Sequence, residues 1–577
     1  MWQRRALELN TQDIWHWRHI TALADYARRY GFNTLVLGQA DLLDKLVTPP
    51  AYQHARFDDR ISSQQRSRCV YLNQVAAYCR EQGLALYLQC KELAFPTDLL
   101  LQHPQLLDDA RQFCIDTHFW CDYLAAKVDL LMQQIPRLSG LMLAISNSDS
   151  LIRFAPPPGE EMQSGIISPT MPPAMPPTLD SEPIYRQLFT AVSRVVHAHQ
   201  RHLVLRAFPA NHHDMSHVLE AIRSLPVTVS AAIKMTPERF WPEFPNNPAL
   251  LELDDREIWV ELDLAGEEVG WGNLPFLRYT EIQGRLLWCR EKNPAIVSAA
   301  CRISWDGVDN HSVLGSLSEF TLFACARLLN DSAPPVNESE LFRQWLAECW
   351  QWQPDDAVRH TMRALLEQAQ QALSLSLYAR HHVFHRHSLL PSSYGQAVWS
   401  LYGQLNRNHW LPGSGRDITF DRRETELASQ NLYQIVREKD AAWQLADQSQ
   451  QAASQFARDH DLPEPLRQRW QQEWRGLALY CRAFVHAQKA FFTLHYCQRV
   501  ENNWTLREIA KTNIQALYGI AHEMDDFCLQ HRDYPVSMHV MFDAARPRAL
   551  ADSLQQQLTV LTQDTGGGHQ AASRHEA

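Results

Sequence analysis

Eight short apolar runs, separated for the most part by helical patterns, fill the first three hundred residues and restrict the fold more than any other feature. The strand candidates open at Leu7 and Leu9, which alternate with polar neighbours. They continue at Asn33–Gly38 (NTLVLG), Leu84–Gln89, Leu141–Ser146, His202–Phe208, Val227–Ile233, Ile258–Leu264 and Ile296–Ser304. Helical patterns lie between them at Ile20–Arg29, Leu72–Gln82, Phe113–Gln134, Tyr185–His199, Met215–Ser224 and Tyr279–Lys292, with Gly31 and Gly83 as natural stops for the first two. Strands that alternate with helices belong to a parallel sheet with helical crossovers. Eight such units in roughly 300 residues match a (β/α)8 barrel. The rival, a doubly wound sheet, would carry a glycine-rich phosphate turn after its first strand, and neither GxGxxG nor a P-loop occurs.

After about residue 335 the texture becomes purely helical. Glu338–Gln351, Asp355–Arg380, Arg423–His460, Pro465–Val500 and Trp504–Gln530 are long patterns rich in Gln, Ala, Leu, Trp and Arg. The expected organisation is a barrel over 1–335, an all-α domain over 336–563 and a disordered tail over 564–577. Residues 155–183 carry nine prolines and interrupt the alternation. Because strand and helix resume directly afterwards, a loop over the barrel mouth fits this segment better than a linker between domains.

Charge and cysteine usage narrow the partners. The chain has 54 basic and 65 acidic residues, a net charge of −11, and no run of five basic residues, so nothing points to nucleic acid. No stretch of 18 apolar residues is present, so no membrane span is expected. Twelve cysteines without CxxC spacing, together with a start (MWQRRALELN) that lacks an apolar signal core, lead to the expectation of a cytoplasmic protein.

In a barrel the chemistry sits at the C-terminal strand ends. Strand four there leads into Asn147, Ser148, Asp149 and Ser150. Strand five gives Arg206 and Phe208, followed by His212 and His213. Strand six gives Lys234, then Glu238 and Arg239; strand seven gives Glu267, Glu268 and Trp271; strand eight gives Trp305, Asp306 and His311. One rim therefore carries carboxylates, cations and tryptophans, the last suited to sugar rings. Strands four and seven face each other across the mouth, which suits an acid and a base with substrate and water between them. His381, His382, His385 and His387 lie too far from any cysteine or paired carboxylates to read as a metal site, and a histidine-rich helix end accounts for them.

These residues carry a resemblance. Val260–Gly272 (VELDLAGEEVGWG) resembles the M-E-F-Q-I-T-Q-E-Y-L-G-Q-G segment of glycoside hydrolase family 67, the α-glucuronidases. Ser146–Ser150 (SNSDS) lies where that family has A-N-S-E-G, Arg206–Phe208 matches its R-A-F, and Ile233–Lys234 its I-K. The order of the four motifs, more than any one of them, makes the likeness. It spans residue 1 to about 350, without the family's N-terminal β-sandwich, and extends to the family's helical C-terminal domain.

The resemblance implies that Glu267 is the general base, Asp149 the general acid, and Arg206 and Lys234 substrate contacts. Asn147, Glu238, Trp271 and Trp305 complete the expected binding surface. Three departures weaken the glucuronate reading more than the glycosidase reading. Asp149 is one methylene shorter than the family's Glu, Arg239 stands where the family has a second carboxylate (with Glu238 beside it), and Ile145 replaces a lysine. The expected activity is inverting hydrolysis of a small glycoside or oligosaccharide, with no cofactor and no metal. A carbohydrate-binding or regulatory protein with a degenerate site is the alternative. The family's helical domain implies a homodimer.

Overall fold

The computed structural model describes residues 2–53, 59–96, 98–107, 117–146, 152, 181–209, 214–305, 312–330, 337–403, 410–411, 415–532 and 536–571. Asn147, Asp149, His212, His213, Asp306, His311 and nearly all of the proline-rich segment lie outside these residues. Eight parallel strands close into one barrel: β1 (Arg4–Leu9), β2 (Thr34–Gly38), β3 (Ala85–Glu92), β4 (Gly140–Ile145), β5 (His202–Arg206), β6 (Ser230–Lys234), β7 (Ile258–Asp263) and β8 (Ile296–Arg302). β8 returns to pair with β1, Ala6 opposite Ala300. The expected (β/α)8 barrel followed by a helical domain is thus the observed architecture. β6 begins at Ser230, whereas the apolar run in the sequence starts at Val227; Val227 is 60% exposed and lies before the ladder begins.

Strand side chains alternate, and this separates two cores. Outward positions pack against the surrounding helices in the large hydrophobic core. Inward positions form a second, isolated cluster with one residue per strand: Ala6, Val36, Tyr87, Met142, Val204, Ala232, Trp259 and Ala300. Tyr87 fits because Gly140 faces it; a Cβ on Gly140 would lie 2.3 Å from the tyrosine ring. Two residues further along each strand, the inward positions become Glu8, Gly38, Gln89, Ala144, Arg206, Lys234, Glu261 and Arg302. This ionic ring, with small residues at Gly38 and Ala144, is the floor of the C-terminal mouth.

The helical domain includes helices at Glu338–Cys349, Asp356–Leu377, Thr425–Asp459, Glu464–Arg499, Trp504–Gln530 and Ala545–Ala571. Glu464–Arg499 is apolar on nearly every face, burying Trp470, Trp474, Leu477, Tyr480, Phe484 and Phe491, so it forms the domain's centre. The helix reaching Ala571 takes in part of the segment expected as a disordered tail; residues 572–577 lie outside the described residues. Among the described residues no helix is long and apolar enough to cross a membrane.

Candidate active site

The segment after β7 turns back sharply on itself. Gly266, Gly270 and Gly272 adopt φ of 73°, 89° and 65°, a region that favours glycine. The amides of Val269 and Trp271 both donate to the Gly266 carbonyl oxygen, at 2.9 and 2.7 Å. This tight loop buries Glu267 and Glu268 side by side, at 8% and 3% exposure. The Glu267 amide donates to Asp263 Oδ2 at 2.8 Å, fixing the residue to the strand end.

Both oxygens of the Glu267 carboxylate are held by cationic or donor groups. Arg302 Nη2 lies 2.6 Å from Oε2. His387 Nδ1 lies 3.0 Å from Oε1, and Arg239 Nη1 3.3 Å from the same atom. Burial works to raise the pKa of Glu267, but Arg302, His387 and Arg239 outweigh it and hold the carboxyl well below the ordinary carboxylate range. Glu267 is therefore an ionised carboxylate on the barrel rim. Glu268 accepts from the His387 amide at 2.7 Å and from Arg239 at 3.2 Å.

Ligand-type atoms of Glu267, Glu268 and His387 lie within 4.8 Å of one another, a spacing a metal ion could bridge. Arg239 Nη1, within 3.2–3.3 Å of all three, already supplies a fixed positive charge there. The donor set thus serves a guanidinium.

The other cations sit on the floor. Arg206 Nε is hydrogen-bonded to Glu261 Oε1, so this expected substrate contact already has a carboxylate partner within the floor. Glu261 Oε2, although buried, accepts no hydrogen bond among the described residues. Lys234 is 6% exposed. Its Nζ donates to the Glu238 carbonyl oxygen at 2.7 Å and lies 3.2 Å from the Phe208 ring centroid, and among the described residues it forms no ion pair with a carboxylate. Burial drives its pKa well below that of an ordinary lysine; Glu267 opposes this, and Arg206, Arg239 and Arg302 add to it.

The remaining expected contacts are spread around this centre. The Glu238 side chain accepts from Trp410 Nε1 at 3.1 Å, a residue of the helical half. Trp271 is fully buried. Trp305 is half-buried between Trp271, 4.4 Å away between ring centroids, and His387, 5.2 Å away and nearly parallel. His387 is the residue that the sequence reading leaves out. Its histidine-rich surroundings explain nothing about it, because its partners lie 120 residues earlier in the chain.

No family model matches the sequence and no curated protein matches it, so the likeness to family 67 rests on the four motifs. Solved structures do match. A GH138 enzyme targeting pectin rhamnogalacturonan II superposes with a TM-score of 0.66 at 11% identity, over 98% of this chain and 84% of that one. A GH115 4-O-methyl-α-glucuronidase with specificity for decorated arabinogalactans gives 0.45 at 9% identity, over 95% and 61%. An O-GlcNAc hydrolase from Thermobaculum terrenum gives 0.43 at 10% identity, over 98% and 97%. At this identity the first of these likenesses is one of fold.

Proposed function

We propose that this protein is a glycoside hydrolase, α-glucuronidase-like, that acts on an anionic sugar in the C-terminal mouth of the barrel. The observation that carries the reading is Glu267: a buried carboxylate at the end of β7, kept ionised and oriented by Arg302 and His387. Its Oε2 atom receives one of these donors, which leaves a lone pair to accept a proton from water. In this reading Glu267 is the base of an inverting hydrolysis and Asp149 its acid. Lys234 supports the acidic sugar class, because a buried ammonium without a carboxylate partner gains most from a ligand that brings one.

A second reading is favoured by one specific contact. Arg239 bonds both Glu267 and Glu268, where family 67 has a carboxylate instead. A sugar-binding protein without hydrolysis would tolerate that neutralisation. The two readings part in a screen of aryl uronides, neutral aryl glycosides and pectic oligosaccharides, the last chosen for the target of the GH138 neighbour. Release of the β-uronate from an α-uronide, the inverted anomer, followed by NMR, supports the hydrolase; binding of uronates with no turnover supports the binding protein. We keep with the hydrolase the expected homodimer through the helical domain, where Trp504 and Tyr433 are 66% and 59% exposed; sedimentation tests it.

A further inference from the structure

We infer that His387, carried by the helical domain, is a positioning residue for Glu267, so the barrel's site is complete only with the second domain docked on it. The inference extends the hydrolase reading in its rate measurement and is independent of that reading in its structural one.

The turn that carries His387 is built to hold this position. His387 and Ser388 both adopt left-handed backbone, φ 61° and 53°, uncommon for residues other than glycine. Three bonds lock the turn to the loop after β7. The His387 amide donates to Glu268 Oε2 at 2.7 Å, Ser388 Oγ donates to the Glu267 carbonyl oxygen at 2.8 Å, and the Gly270 amide donates to Ser388 Oγ at 2.8 Å. From behind, Tyr480 of the central helix donates its hydroxyl to the Ser388 carbonyl oxygen at 2.7 Å. Strained backbone survives where its surroundings over-determine it, and such places cluster at functional sites.

The ring itself is oriented by what it touches. A carboxylate only accepts, so Nδ1 donates to Glu267 Oε1. Arg239 Nη1 lies 3.2 Å from both ring nitrogens; an arginine only donates, so with Nδ1 already donating, Nε2 is the one left to accept. Stacking on Trp305 fixes the ring plane. The charged groups around Glu267 are Arg302 from β8, Arg239 from the β6–β7 connection, Lys234 from β6 and Arg386 beside His387, with Asp263 and Glu268 on its own segment. The arginines supply charge, and Nδ1–H supplies the direction in which Oε1 points.

The test is the isosteric pair His387→Asn and His387→Asp. Both side chains tolerate positive φ, and both match the reach of Nδ1, but one offers a donor and the other only acceptors. Crystal structures of the two variants are expected to show Glu267 in place opposite Asn and turned away opposite Asp. With a substrate, the Asp variant is expected to lose about 10²-fold in kcat with KM little changed. The acid limb of its kcat/KM profile should move to higher pH, since a group that holds the Glu267 pKa down has gone. The Asn variant should stay close to wild type in both respects. A pair that behaves alike, both intact or both impaired, overturns the inference: the turn would then matter for packing alone. The crystallographic comparison decides this even if no glycoside is hydrolysed.

Discussion

The two mouths of the barrel start from the same material and end differently. Two residues before the apolar layer, the inward ring at the N-terminal mouth includes Arg4, His202, Ser230, Glu257 and Ser298. Here every demand is met locally. The Tyr87 hydroxyl pairs with His202 Nδ1 at 2.9 Å, His202 Nε2 with Ser230 Oγ at 2.8 Å, and Ser230 and Ser298 both donate to Glu257 at 2.9 and 2.5 Å. Two residues after the apolar layer, the C-terminal ring is not settled in this way. Glu261 Oε2 accepts nothing among the described residues, Lys234 forms no ion pair with a carboxylate there, and burial raises the pKa of Glu8 against the opposing pull of Arg206. A polar cluster that satisfies itself is a plug. One that leaves buried groups wanting has room in its energetics for a ligand.

The largest expected effect separates the mouths outright. Glu267→Gln keeps the size of the side chain and removes the charge, and turnover is expected to fall about 10²–10⁴-fold, the usual cost of losing a general base. Glu268→Gln, whose carboxylate is taken up by Arg239 and the His387 amide, should matter less. An active Glu267→Gln enzyme would move the chemistry elsewhere on the rim.

Lys234 gives the next effect. Lys234→Met is expected to weaken uronate binding about 10–100-fold, the scale of a hydrogen bond to a charged group, and to leave neutral glycosides unchanged. Because burial and three arginines push the Lys234 pKa down, an incoming carboxylate raises it again, so binding at alkaline pH takes up a proton. Calorimetry in buffers of different ionisation enthalpy should show that uptake in the wild type and not in Lys234→Met. Equal losses for charged and neutral sugars would make Lys234 a structural prop.

At the opposite mouth, Glu257→Ala strands the two serine hydroxyls and is expected to lower stability by about 1–3 kcal/mol in urea unfolding. Turnover should stay at the wild-type level, since the apolar layer with Tyr87 and Trp259 separates this cluster from the site. A large loss of rate at constant stability would break the contrast between the mouths.

These contrasts also show which parts of the structure are legible in the sequence. The alternation of apolar strand and helix specifies the barrel because each strand buries both faces, and TLVLG at β2 can do little else. Glu267, Arg206 and Lys234 are legible as rim residues because a strand end fixes its neighbours by local geometry. His387 is not, because its place depends on how a distant helical domain packs. Trp271 misleads for the same reason: a tryptophan beside glycines reads as an open platform, but the tertiary fold buries it under Trp305. Neither does local pattern reveal that Arg239 Nη1 bonds Glu267, Glu268 and His387 together.

The smallest effect concerns how the C-terminal mouth is supported. The segment after β8 is tied to the helical domain by a buried acid, Glu473, which accepts from the Leu317 amide at 3.1 Å, while Arg469 donates to the Gly315 carbonyl oxygen at 2.9 Å. Burial raises the Glu473 pKa to about 7 despite Arg469 and the Leu317 amide, and Glu319, which accepts from the Gly315 amide, is raised to about 7 as well. A carboxyl whose folded pKa exceeds its unfolded one stabilises the protein fully below the unfolded value, near 4.5, and that stabilisation is lost as pH rises through the folded value. Each of the two acids should therefore cost about 1 kcal/mol between pH 6 and pH 7. Glutamine mimics the protonated acid and keeps an oxygen for the Leu317 amide, so Glu473→Gln should remove its share of that slope, leave the share of Glu319, and change stability little near pH 5. If unfolding of Glu473→Gln follows the same pH dependence as wild type, Glu473 is ionised throughout. The mouth would then be braced by a charge, as it is at Glu267, rather than by a neutral acid.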